Sequence, residues 1–156
     1  VLGSELEGQD GLPAAVADLR YQVYEAARGC YWDQLRDLVA GAGAFSYSFG
    51  ESGDPIAYWQ RLELLHYRPM LYLAGMLQRP YGAFQGPDGP VIYAWPSAYT
   101  YRSWAEVPEA DRRVLLPLYD ALDLSSFAEF GAYLGVRIGI SAEGDQAIWI
   151  YAIEGD

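Results

Sequence analysis

The stretch YEAARGCYWDQLRDLVAGAGAFSYSFGESGDPI, Tyr24–Ile56, changes its hydrophobic period twice, and those changes decide the fold class. Up to Val39 the apolar residues recur at intervals of three and four (Ala26, Ala27, Cys30, Leu35, Leu38), the buried stripe of an amphipathic helix. From Ala44 the period is two. Phe45, Tyr47 and Phe49 alternate with Ser46 and Ser48, which predicts a strand with an aromatic core face. Gly50 to Gly53 then turn the chain, Asp54 offers a helix cap, and Pro55 takes the first helical position, where a missing N–H leaves no bond unmade. Helix, strand and helix in so short a span require an α+β domain.

Working back from this stretch, Pro13, Val16, Leu19 and Val23 carry the stripe upstream. A helix over 13–40 results, long or broken at Gly29 and ended by Gly41 and Gly43. Residues 1–12 are polar and glycine-rich and read as a flexible lead-in. No linker, repeat or low-complexity tract divides residues 13–156, which read as one domain.

Working forward, Ile56, Trp59, Leu62 and Leu65 give the next helix its inward stripe, and a further helix begins at Pro69, turns Met70, Leu73 and Leu77 inward and stops at Pro80. Gly86 to Pro90 is turn chemistry. Val91 to Trp95 and Ala98 to Tyr101 read as extended, separated by Pro96, which cannot donate to a ladder and implies an edge or a bulge. Pro108 opens a helix with Glu109 and Asp111 at its positive end, and Pro117 bends it. Ser126 and Glu129 have capping-box spacing for a last short helix around Phe127 and Phe130. The chain closes on a hairpin, Val136 to Ser141 and Gln146 to Ile153, joined through Ala142-Glu143-Gly144-Asp145 with Gly144 supplying a positive φ. Strict alternation puts Ile148 and Ile150 on one face and Trp149 and Tyr151 on the other, a strand covered on both sides.

The run Tyr24 to Leu38, followed by Phe45-Ser46-Tyr47-Ser48-Phe49-Gly50 and completed by the terminal hairpin, resembles the NTF2-like (SnoaL-like, cystatin-like) fold. That resemblance implies a bent, mostly antiparallel sheet packed against several helices, with an open pocket between them. Family members use the pocket for catalysis, with an Asp or a His beside tyrosines, or only for binding or assembly. The middle of the chain, His66 to Tyr133, is more helical and richer in proline than the family and reads as a helical elaboration.

Charge narrows the partners. Twenty-one acids against ten bases give a formal charge of -11, and every base is Arg. Nucleic-acid affinity comes largely from cations that displace counterions from phosphate, so nucleic acid is an unsuitable partner, and an anionic membrane surface would repel the chain for the same reason. No apolar run approaches the roughly 20 residues needed to span a bilayer. Without Lys, Schiff-base, pyridoxal phosphate and P-loop chemistry have no amine to use. Cys30 is the sole cysteine, which leaves no internal disulfide or thiolate metal cluster, and its place on the first stripe reads as a small buried thiol. Nothing calls for a cofactor or a metal. Arg-only usage beside abundant Ala and Gly suits a bacterial source. A first residue of Val suits a cleaved signal peptide and hence a secreted or periplasmic protein, and equally a trimmed chain.

Candidate chemistry is sparse. His66 is the one histidine; if the chain is an enzyme, His66 is its general base, and otherwise it is a helix-boundary residue. Glu51 and Asp54 bracket a turn, where Asp54 already has work as a cap. The densest signal is aromatic: Tyr93, Trp95, Tyr99, Tyr101 and Trp104, with Arg102, fall within a dozen residues. Amphipathic rings suit a ligand or partner surface, while alternate members of such a run also suit a core. The sequence therefore favours a non-catalytic module that binds a small molecule or a protein. A small acid–base enzyme with His66 or a buried carboxylate, and a homo-oligomerisation domain, are the rivals. The charge balance yields a direct expectation: fluorescence anisotropy with duplex DNA at moderate salt shows no binding, and micromolar affinity that falls steeply with salt would overturn it.

Overall fold

The computed structural model describes residues 6–155. Within them six α-helices surround an open four-stranded antiparallel sheet, an α+β arrangement. Helices α1 (Ala14–Arg28) and α2 (Trp32–Ala40) are the expected broken pair. Cys30, at φ 52, makes the break, and it is exposed there rather than buried. Helix α3 (Pro55–Leu64) starts as its sequence dictates, with Asp54 Oδ1 accepting from the Ile56 N–H at 2.9 Å. It ends one residue earlier than its stripe suggests, leaving Leu65 exposed. Helix α4 (Pro69–Leu77) buries Met70, Leu73 and Leu77 as expected.

The sheet runs β1 (Gly82–Gln85), β2 (Val91–Trp95), β3 (Arg137–Glu143) and β4 (Gln146–Ile153), in that spatial order. Strand β1 carried no clear sequence signal. It makes β2 an interior strand, so Pro96 marks neither an edge nor a bulge; it stands just past the last ladder residue, where no bond is lost. Beyond it, Ser97–Thr100 wind into a 3-10 turn instead of extending, because Thr100 Oγ1 donates to the Ser97 carbonyl at 2.7 Å. Helices α5 (Glu109–Arg113) and α6 (Ala121–Phe130) come next. Pro117 lies beyond α5 and does not bend it. The capping box of α6 is Asp120 with Asp123, not Ser126 with Glu129; Ser126 sits mid-helix and donates to the Leu122 carbonyl.

Two departures from simple alternation shape the sheet. The Ala44–Phe49 segment forms no full strand: Ser46 alone bridges Tyr151 in parallel, exchanging bonds with the Ile150 carbonyl and the Ala152 N–H at 3.1 Å each. Ser48 Oγ then accepts from the N–H groups of Gly50 and Glu51, which curls the chain off the sheet edge. In consequence Phe45, packed on Trp149 and Trp59, and the buried Tyr47 face the core as expected, whereas Phe49 is 60% exposed. The second departure is in β4. Gly139 pairs with Tyr151 and Ile140 with Trp149, and Ile150 is left over as a bulge. The extra residue transposes the side chains: Trp149 joins Ile138 and Ile140 in the core, and Tyr151 goes to the opposite face.

One core gathers these pieces. Helix α1 packs against α4 and across β3 and β4, and Trp59 of α3 stacks on Trp149 at 5.9 Å. Arg20 of α1, 3% exposed, donates Nε and Nη2 to the Leu77 carbonyl at the end of α4 and Nη1 to the Glu7 carbonyl of the lead-in. Burial lowers its pKa to about 10. The start of the lead-in lies outside the described residues; from Leu6 it is strapped down, Gln9 Nε2 donating to the Arg79 carbonyl and Gln9 Oε1 accepting from the Trp95 indole. On the far face the Tyr151 ring lies directly where a Cβ on Gly139 would sit. Gly139→Ala is therefore expected to destabilise the protein by about 1–3 kcal/mol in urea unfolding, and a Tyr151→Ala background to relieve most of that penalty.

Candidate functional site

Between α3, α4 and the end of the sheet lies a cleft with about 50 Å³ of room, enough for a few waters or one small head group. Helix α3 gives it Tyr58, Trp59 and Leu62; α4 gives Met70, Tyr72 and Leu73; the strand ends give Val136, Ala152 and Glu154. Tyr47 and Tyr67 complete the rim.

The link between the helices positions this wall. Glu63 Oε1 accepts from the Met70 N–H at 2.9 Å, so the end of α3 caps the start of α4. To make that turn, His66 and Arg68 both take the left-handed region, at φ 65 and 52. Non-glycine residues held there carry strain of order 1–3 kcal/mol each, and such strain gathers at ligand clamps and active sites. Tyr67, between them, is carried out to the mouth of the cleft, where it stands exposed. Ring contacts fix the other tyrosines: Tyr47 against Tyr58 at 5.1 Å, and Tyr72 against Tyr119 at 5.2 Å.

Among the described residues one acid lines the cleft. Glu154 comes directly after β4, and although the residue as a whole is exposed, enough protein crowds its carboxyl for desolvation to push it above the ordinary value. The Arg137 guanidinium and the Tyr119 hydroxyl pull it down by less, and Asp123 adds to the rise. Burial first, then the carboxylates of Glu154, Asp123 and Asp120, push Tyr72 up as well, against one nearby cation, Arg68. Behind the cleft Tyr119 and Tyr133 are raised by burial and serve as structure: the Tyr119 hydroxyl accepts from the Val136 N–H at 2.8 Å and the Tyr133 hydroxyl donates to the Val136 carbonyl at 2.6 Å.

The residues singled out in the sequence fall elsewhere. His66 lines a wider, shallower hollow of about 430 Å³ that shares Tyr67 and Tyr72 with the cleft. Of the two arginines that line it, Arg68 and Arg79, the latter is already committed to the carbonyls of Val114, Gly75 and Leu116. Tyr93 and Trp95 pack with Tyr81 in the sheet. Tyr99 packs on Tyr151 and Phe84 on the far face, and over the Arg137 guanidinium at 5.1 Å. Tyr101 donates to Asp111, Arg102 is exposed, and Trp104 is buried against Phe127 with Arg112 over its ring. The run is thus scattered over the molecule, and none of its members lines the cleft. The sequence did hold a second aromatic density, Tyr58, Trp59, Tyr67 and Tyr72, but Glu154 is marked by nothing except its place after the last strand. The Tyr151 hydroxyl and the Arg137 Nε are buried without a hydrogen bond of good geometry, although Tyr99 is near enough to Tyr151 to disfavour its ionisation. Among the described residues no group of three or more His, Cys, Asp or Glu is placed to hold a metal, and no helix is long and apolar enough to cross a membrane.

No family model, curated protein or solved structure matches the chain.

The raised carboxyl gives a pH signature. A group whose pKa is higher folded than unfolded contributes stability at low pH and loses it as pH rises through the folded value. Glu154→Gln should therefore raise the melting temperature relative to the wild type above the ordinary glutamate range, and the difference should vanish below it. Differential scanning fluorimetry across that range checks the sign, and a gain confined to acid pH would contradict it.

Proposed function

We propose that this chain is a non-catalytic binding module whose ligand is a small molecule with an apolar or aromatic body, its head group taken up in the cleft between α3, α4 and the end of the sheet and its body held at the mouth. The observation that carries the reading is the meeting, in one concave site, of aromatic walls with, among the described residues, one carboxyl, Glu154. Apolar walls with few convergent polar groups are the usual composition of a ligand site. The NTF2-like resemblance, with its pocket between sheet and helices, belongs to the same proposal, as does a bacterial, extracytoplasmic setting.

A second reading draws on the same carboxyl. A glutamate with a raised pKa beside tyrosine hydroxyls has the make-up of an acid–base catalyst. The binding reading is preferred because His66, the only imidazole, lies outside the cleft, and Tyr119 is held to the Val136 backbone.

Titration of isotope-labelled protein with benzyl alcohol, benzylammonium and benzoate, followed by amide and indole chemical shifts, tests the reading. At least one probe should saturate resonances of Trp59 and Ala152 below about 10 mM. Leu62→Trp, which fills the cleft from its α3 wall, should weaken that binding at least about tenfold with an unchanged melting temperature. If none of the three saturates those resonances, the cleft is not a binding site.

A further inference from the structure

The charges and ring faces around the cleft select one ligand class. An aromatic ring presents a negative face, which attracts a cation lying over it within about 6 Å. The wall already uses this contact once: the Arg61 guanidinium lies 5.5 Å from the centre of the Tyr58 ring. That arginine is itself paired with Glu51 at 2.6 Å, and Arg36 is paired with Asp54 at 3.1 Å, so at this end of the cleft the cations are matched by carboxylates. At the other end the balance is uneven. Glu154, Asp120 and Asp123 all act on Tyr72, opposed there by Arg68 alone. Arg137 also acts on Glu154, but no carboxylate of the described residues lies within ion-pair distance of it. Its guanidinium is instead clamped between the rings of Phe49 and Tyr99, at 5.4 and 5.1 Å. Glu154 therefore faces the cleft with no salt-bridge partner among the described residues, beside tyrosine rings, on a molecule of formal charge -11.

Resting on the reading of this cleft as a binding site, we propose that its ligand is an organic ammonium ion, the charged nitrogen seated in the cleft against Glu154 and the ring of Tyr72 and the apolar body lying outward along Tyr67 at the mouth. An anion would meet the Glu154 carboxylate and the negative ring faces together. A neutral ligand of the same shape would gain nothing from the Glu154 charge and would leave that carboxylate without a salt-bridge partner among the described residues. The net charge adds a long-range pull on a cationic ligand, one that salt weakens.

The test compares isothermal titrations of the intact protein with benzylammonium, benzyl alcohol and benzoate at about neutral pH. Benzylammonium should bind at least about tenfold more tightly than benzyl alcohol, and benzoate should not bind. Glu154→Gln should remove most of the ammonium preference and leave benzyl alcohol within about twofold of wild type. Tyr72→Leu, which keeps the apolar wall and deletes the ring face, should lower the ammonium affinity more than that for the alcohol. Added salt should weaken only the ammonium. If benzyl alcohol or benzoate binds as well as benzylammonium, the ligand class is wrong and the cleft stands as a neutral or anion site. If Glu154→Gln leaves the preference intact, the cation lies elsewhere. If none of the probes binds, the binding reading and the ligand class fall together.

Discussion

The arrangement of the sheet depends on one irregular residue pair, the bulge that sets Gly139 against Tyr151 and Ile140 against Trp149 while Ile150 goes unmatched. With strict alternation Trp149 and Tyr151 would share a face, and either the core would lose its central indole or the far face its covering ring. The bulge allows both. Trp149 stacks with Trp59 and meets Phe45 edge-on at 4.7 Å, fixing α3 and the Phe45 segment to the sheet. Tyr151 lies flat over Gly139, where the absence of a Cβ leaves room for it. Since Trp59 is both a partner of Trp149 and a wall of the cleft, the register of β4 sets the position of that wall.

The arginines show how an acidic protein without lysine handles its buried cations. The ion pairs Arg36–Asp54, Arg61–Glu51 and Arg113–Glu109 all lie in solvent, where such pairs contribute little to stability. The more enclosed arginines are aimed at carbonyls. Arg20 forks onto the end of α4, Arg79 joins Gly75 to Val114 and Leu116, and Arg112 reaches the Trp104 carbonyl while covering its ring. Each supplies donors to helix ends and turns that would otherwise leave carbonyls unmatched. A lysine, a compact and strongly hydrated point charge, could not span these groups from one planar head.

Legibility in the sequence tracks the range of the interactions concerned. The start of α3 at Asp54 and Pro55 was legible because cap and helix are neighbours in the chain, and the turn at Gly144 was legible for the same reason, its φ of 62 being what a tight hairpin needs. The α6 cap was misplaced because two pairs, Asp120 with Asp123 and Ser126 with Glu129, share one spacing, and only the chain's path decides which stands at the helix start. Alternation in β4 assigned the wrong faces because a bulge is defined by the partner strand, not by the strand itself. The candidate site was least legible. Glu154 acquires its raised pKa from burial, which Arg137 and Tyr119, both remote in sequence, only partly offset, and the aromatic density included rings that the fold uses for packing, Trp95 and Trp104.

The strap formed by residues 7–10 ties the edges of several elements together at modest cost in surface. Gln9 joins the Arg79 backbone to the Trp95 indole, Arg20 joins Glu7 to Leu77, and the Tyr81 hydroxyl donates to the Asp10 carbonyl. Its release would strand the Trp95 N–H in a dry setting and loosen the C-terminal turn of α4, the helix that carries Met70 and Tyr72 at its other end. Amide hydrogens at the end of α4 and in β2 would then lose protection together with those of the strap.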